Sequence, residues 1–240
     1  MLTATHKKQA LAWGVHLFTA SGAIFALLAI FAIIDRQWQA AFIWMTVTVL
    51  IDSFDGTLAR FFGVKGVLPQ FDGALLDNII DYETYVVIPA LFVVEAGLLP
   101  ASLALLGAAV IVLTSAYQFA QADAKTDDHF FKGFPSYWNV VVLYLFLLEL
   151  SPWVNLLLVL LCGILVFVPV KYVYPSRTAR FQRLTLLLSG VWGVMVLAAL
   201  LQYPVIRPWL VRSSLLFIVY YIAISLYLTK RPFGTGSGER

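Results

Sequence analysis

Eight predominantly apolar stretches, separated by short polar or turn-forming segments, organise the sequence. They centre on residues 11–34, 38–58, 74–94, 101–121, 138–150, 153–170, 184–202 and 209–228. Most approach the roughly 17–25 residues that an α-helix needs to cross a bilayer. The pattern predicts an all-α integral membrane protein of about eight transmembrane helices. The fifth stretch is short, and its junction with the sixth at Ser151-Pro152 predicts a tight hairpin. No internal repeat or low-complexity run breaks the pattern before the closing GTGSGER. Residues 1–232 are therefore expected to form a single membrane-embedded domain, and 233–240 a disordered tail.

Composition agrees. The 240 residues are 61% hydrophobic and only 12% charged, with a mean hydropathy of +0.88, far from the balance of a soluble domain. Seven Trp and eleven Tyr suit a chain with two water–lipid boundaries to line. The net charge of +3 is spread along the chain, with none of the clustering that nucleic acid demands. It is better explained by cytoplasmic loops and anionic lipid. Cys162, the single cysteine, allows no internal disulfide and reads as a small packing residue. The N-terminal HKK precedes an apolar run too long for a signal-peptide core, and predicts an uncleaved first membrane helix.

Charge also orients the helices. With the N-terminus inside, only Arg36, Arg207 and Arg212 of the 16 Lys and Arg fall on outer segments. That asymmetry predicts both termini on the cytoplasmic side and an even number of spans.

The chemistry lies between the second and third stretches, in IDSFDGTLARFFGVKGVLPQFDGALLDNIIDYETYVV from Ile51 to Val87. An Asp at the centre of a membrane helix costs about 2.5–3.5 kcal/mol, so several at this edge need an offsetting interaction. On a helix, Asp52, Asp55, Gly56 and Ala59 share one face, and so do Gly73, Asp77 and Asp81. Two such faces opposed would bring three or four carboxylates into a small volume, which is unfavourable without a cation among them. Hard oxygen ligands suit Mg²⁺ or Mn²⁺, ions that also hold phosphates. With no Cys or His nearby in sequence, zinc is disfavoured. The small residues at 56, 59 and 73 would let a ligand approach the backbone, or simply let the helices pack closely.

These residues resemble the CDP-alcohol phosphatidyltransferase family, whose pattern stands here as Asp52-SF-Asp55-Gly56-TL-Ala59-Arg60, then Gly73-ALL-Asp77-NII-Asp81. The twelve residues between Arg60 and Gly73 make a longer spacer than most of the family has. That spacer, the eight spans, and the stretches DDHFFKGFPSYWN (127–139) and VPVKYVYPSRT (168–178) look like the bacterial phosphatidylcholine synthases.

The resemblance implies a family-type bundle in the bacterial inner membrane, a homodimer, and transfer of a phosphatidyl group from CDP-diacylglycerol to choline. It implies two Mn²⁺ or Mg²⁺ ions on Asp52, Asp55 and Asp77. Asp81 would join one ion or act as the catalytic base toward choline. Asp52, Gly56, Ala59, Arg60 and Gly73 would line the CDP-diphosphate site. Lys65 is a weaker candidate there, with a solvated loop lysine as its other reading.

Choline's quaternary nitrogen has no hydrogen to donate, so aromatic faces must hold it. The candidates are Tyr82, Tyr85, Tyr137, Trp138, Tyr172 and Tyr174, with Glu83 as counter-charge. Each also reads as an interfacial aromatic. Asp127, Asp128 and His129 suggest either a second metal site or a solvated, helix-capping loop, and the segment is expected to wall the acceptor pocket. Arg177 and Arg180 would attract the lipid diphosphate or satisfy the positive-inside bias. His16, alone within the first span, reads either as a residue serving a site or as a satisfied packing partner.

Rival readings differ in testable ways. Serine, inositol phosphate or glycerol phosphate as acceptor would call for more cations near the motif than Arg60 and Lys65. An intramembrane prenyltransferase would lack the DG-x2-AR run. An ion-coupled transporter would spread its buried carboxylates over two repeats, rather than one stretch.

Overall fold

The structure, a computed structural model, describes residues 4–175 and 177–230; the tail expected at 233–240 lies outside them. All eight apolar stretches are helical. They correspond to α1 (Ala4–Ile34), α2 (Trp38–Phe61), α4 (Gly73–Tyr82) with α5 (Ile88–Glu95), α6 (Ala104–Ala120), α7 (Trp138–Leu147), α8 (Pro152–Leu165), α9 (Gln182–Leu201) and α10 (Pro208–Thr229). A four-residue α3 (Val64–Val67) interrupts the spacer. Among the described residues, five helices are long and apolar enough to cross a membrane: the first two stretches, Ala101–Ala120, α9 and α10. The third stretch is helical throughout, but a π-helical turn at Glu83–Val87 separates α4 from α5. Helices α7 and α8 have only 10 and 14 residues.

The chain divides into two compact units, one up to Ala96 and one from Gly97. In the first, α1 lies along α2 and also touches α4 and α5. Close approach follows from small residues: Ala12, Ala26, Ala29 and Ala32 of α1 are buried, and Gly22 leaves room for Ile80. Phe92 of α5 fills the other side of this core, its ring 4.6 Å from Phe42 and 5.2 Å from Trp38. Leu17, Ile24, Phe31 and Phe54 stand outward and exposed, as lipid-facing positions do and water-facing ones rarely do in such number.

In the second unit, α6 and α8 pack at glycines: Gly107 admits Leu99, and Gly163 admits Val110. Polar side chains join the remaining helices. Tyr144 of α7 donates to Ser214 of α10 at 2.8 Å and accepts from Trp192 of α9 at 2.8 Å.

The expectation of an all-helical chain needs one correction. β1 (Phe130–Lys132) and β2 (Lys171–Val173) pair antiparallel, with Phe130 opposite Val173. Strands of three residues carry no periodicity of their own, and each is stabilised by a partner far away in sequence. The ribbon is pinned to α10: Lys171 N–H donates to Thr229 Oγ1, Val173 N–H to Ser225 Oγ, and Tyr221 O–H to the Val173 carbonyl. Beneath it Lys171, 2% exposed, pairs with Asp128 at 2.6 Å and lies 5.2 Å from the Phe130 ring.

Candidate active site

The α2 and α4 faces carry the carboxylates. One oxygen each from Asp52, Asp55 and Asp77 lies within 4.8 Å of the others, Asp55 being buried and the other two partly so. The Asp55 and Asp77 carboxyls thus lie close together, which is unfavourable unless a proton or a cation lies between them. Asp55 also accepts from the Gly56 N–H and from Thr19 of α1. Tyr85, on the π-helical turn, donates to Asp52 Oδ2 at 2.7 Å. Such turns widen a helix by one residue and are frequent at functional sites. An oxygen-only donor set, partly enclosed and oriented by hydroxyls, fits a hard divalent cation.

Tyr85→Phe should therefore lower Mn²⁺ affinity about 10–100-fold, as loss of an orienting hydrogen bond to a ligand does. A Mn²⁺ titration of the purified protein by electron paramagnetic resonance reads this directly; unchanged affinity would free Tyr85 from that task.

Asp81 lies one helical turn beyond Asp77 on α4, on the same face, and is not part of the close trio. Its carboxyl is placed one turn from Asp77, on the side of the trio away from Gly73. The two motif glycines accommodate side chains. A Cβ on Gly56 would meet Arg60 Nη1 at 3.2 Å, and one on Gly73 would meet His16 Cε1 at 2.7 Å. Arg60 is exposed, with Nη2 donating to Thr57 Oγ1 at 2.9 Å. Ala59 packs against the cluster of Ala12, Val15, Val64 and Leu68, so its small size serves helix packing. Lys65 is exposed on α3.

The α1–α4 packing brings His16, remote in sequence, against Gly73, while the metal-type group itself consists of aspartates alone among the described residues. Thr19, which carries no motif, also meets Asp55 from α1. The available signal was two polar residues at i and i+3 inside an apolar span, where polar groups call for a reason.

The expected choline residues separate into two groups, one in each unit. Tyr82, Glu83 and Tyr85 are half-buried around the π-helical turn. In the second unit, Phe131 lies 4.7 Å from Tyr174 and 5.9 Å from Tyr137, while Tyr221 lies 6.4 Å from Tyr137 and 6.3 Å from Tyr172. Burial pushes the Tyr172 hydroxyl up to about 12. Nothing in the sequence singled out Tyr221. Trp138 is a correction: it is fully buried, its indole N–H donates to Ser115 at 2.7 Å, and Phe134 packs on it at 5.2 Å. A core indole covered in this way offers no face to choline.

The 127–139 segment is ordered by its own contacts. Asp128 takes the Lys171 ammonium and the Thr126 hydroxyl, and the His129 carbonyl accepts from Thr178 at 2.7 Å. Among the described residues, no second metal-type cluster forms there. Arg180 rests 5.5 and 5.9 Å from the Phe181 and Tyr227 rings.

Comparison with known proteins agrees with this geometry. Residues 16–169 match the CDP-alcohol phosphatidyltransferase family. The phosphatidylcholine synthase of Legionella pneumophila is 45% identical over 92% of this chain and 89% of its own length. That of Pseudomonas aeruginosa is 40% identical over 97% and 98%, and that of Bradyrhizobium diazoefficiens 45% over 80% and 72%. The match spans α2 and α4 with all three clustered aspartates, and the chain belongs to the CDP-alcohol phosphatidyltransferase family.

Proposed function

We propose that the protein is a phosphatidylcholine synthase, transferring the phosphatidyl group of CDP-diacylglycerol to choline and releasing CMP. The observation that carries the reaction type is the convergence of Asp52, Asp55 and Asp77 from two helices. The acceptor follows from relatives that bear this name and cover most of the chain. Asp52, Asp55 and Asp77 would hold a pair of Mn²⁺ or Mg²⁺ ions. When bound, such ions neutralise a diphosphate and stabilise an oxygen leaving in line.

The residues divide the remaining work. Asp81 accepts the proton of the choline hydroxyl as its oxygen attacks the β-phosphorus. A new P–O bond forms to choline, the bond from that phosphorus to the bridging oxygen breaks, and CMP departs with the electron pair. Arg60 contacts a phosphate, with Lys65 as a second cation near the site. Gly56 and Gly73 contribute by seating Arg60 and His16, and Ala59 by allowing α2 to pack. In the first unit Tyr82 and Glu83 border the acceptor side and Tyr85 orients Asp52; within the second unit Tyr137, Tyr172 and Tyr174 form an aromatic group of the kind that holds a trimethylammonium ion.

The chain acts as one catalytic domain over residues 1–232, with eight spans and both termini in the cytoplasm. It works as a homodimer in the bacterial inner membrane, with the site open to the cytoplasmic face. The eight helical stretches and the basic bias of the segments assigned inside support the span count and the side of the termini.

The test offers labelled choline, serine, inositol phosphate and glycerol phosphate in parallel to purified protein with CDP-diacylglycerol and Mn²⁺. Labelled lipid and CMP are expected from choline alone. Lipid from another acceptor would keep the metal site and replace the substrate; no CMP from any would remove the transferase reading.

A further inference from the structure

We propose that His16 is a nucleotide-contacting residue, its imidazole Nε2 hydrogen-bonding the cytidine moiety of the bound substrate. The inference rests on the nucleotide-site reading above and extends it to a helix that carries none of the motif.

Three features converge on His16. Its side chain is nine-tenths buried, with 7% exposed, yet Nε2 has no hydrogen-bond partner among the described residues. A buried polar atom left unpaired is unfavourable unless something satisfies it at another stage. The polar edge of the ring faces the acid-bearing helix: a Cβ on Gly73 would lie 2.7 Å from Cε1, 3.2 Å from Nδ1 and 3.8 Å from Nε2. The ring is held there by Phe71, 4.3 Å away, and Trp13, 5.9 Å away. One turn further along α1, Thr19 bonds Asp55, so the same face of α1 meets the site twice.

The order of residues along α4 identifies the part of the substrate concerned. Gly73, Asp77 and Asp81 follow one another at intervals of one turn, about 6 Å each. Asp77 belongs to the acidic trio that meets the diphosphate. In an in-line displacement the attacking and leaving oxygens lie on opposite sides of the phosphorus. With Asp81 on the acceptor side, the Gly73 end of the row is the side toward which CMP departs. His16 stands at that end, about one turn from Asp77, on the order of a ribose away from the phosphates.

The experiment compares His16→Phe, His16→Asn and the parent protein in detergent with Mn²⁺. It measures binding of CMP and, separately, of inorganic pyrophosphate by calorimetry. Phe keeps the ring and loses the nitrogens; Asn restores polar atoms at reduced length. His16→Phe should weaken CMP binding about tenfold, with pyrophosphate affinity unchanged and His16→Asn intermediate. Unchanged CMP affinity in His16→Phe would overturn the assignment. So would an equal loss for both ligands, which would make His16 a residue that shapes the metal site, and so would His16→Asn binding no better than His16→Phe. CMP binding does not depend on the acceptor, so a failure of choline as substrate leaves this result readable. A parent protein that binds no CMP would remove both readings together.

Discussion

Asp81→Asn is expected to reduce turnover with choline by about a thousandfold, in the range that a positioned general base contributes, while leaving CMP affinity unchanged. The expectation follows from position. Asp81 shares the α4 face of Asp77 but stands one turn away from the trio, so its loss removes a proton acceptor and leaves the metal ligands in place. Asparagine has the same shape and cannot take the proton. A pre-steady-state measurement of CMP release, paired with CMP calorimetry, separates the two functions. Normal turnover would take Asp81 out of the mechanism. A parallel loss of Mn²⁺-dependent CMP binding would return it to the metal ligands.

Asp55→Ala should be more severe and should separate activity from stability. Asp55 is the most buried of the trio, and its carboxylate is the meeting point of Asp77, Thr19 and the Gly56 N–H. Without it, turnover should fall below detection and Mn²⁺ should no longer stabilise the protein. Specific binding raises apparent stability by mass action, about 2.7 kcal/mol at a hundredfold excess over Kd. The parent protein should therefore melt higher in Mn²⁺ and the variant should not. In metal-free buffer the order should differ: removing a buried carboxyl placed against another carboxyl relieves desolvation and repulsion, so the variant should be at least as stable as the parent. Thermal unfolding in detergent with Mn²⁺ and with chelator checks both statements. A Mn²⁺-dependent rise in the melting temperature of Asp55→Ala would sink the assignment of Asp55 as a ligand.

Much of this was legible before any coordinates. Helix positions followed from apolar run length, because a helix in lipid must satisfy its own backbone and so needs about twenty uninterrupted residues. The trio was legible for a related reason: Asp52 with Asp55, and Gly73 with Asp77, sit at helical spacing, so each pair's common face could be stated from the sequence alone. Asp81 shows where that reasoning stops. A shared face along α4 places it one turn from Asp77, and spacing alone does not say which ion or substrate atom it meets.

The choline residues show the same limit in another form. Tyr85 and Trp138 were chosen as aromatic side chains near the membrane edge, a class property. What each does depends on a partner remote in sequence: the Asp52 carboxylate for Tyr85, and the Ser115 hydroxyl for Trp138. The β1–β2 ribbon is not legible for the same reason, since its two halves pair with each other across the intervening α7 and α8.

By itself, then, the sequence determined the eight helical stretches, the faces carrying the acids and the family to which those faces belong. These follow from period, run length and spacing, which are properties of contiguous residues. Tertiary structure alone decided that Thr19 and His16 of α1 join the site, that Gly73 is small to admit an imidazole, and that Lys171 lies buried against Asp128. Each of those depends on the approach of segments far apart in the chain. Such approach is set by the complementary packing of whole helices, and no local pattern encodes it.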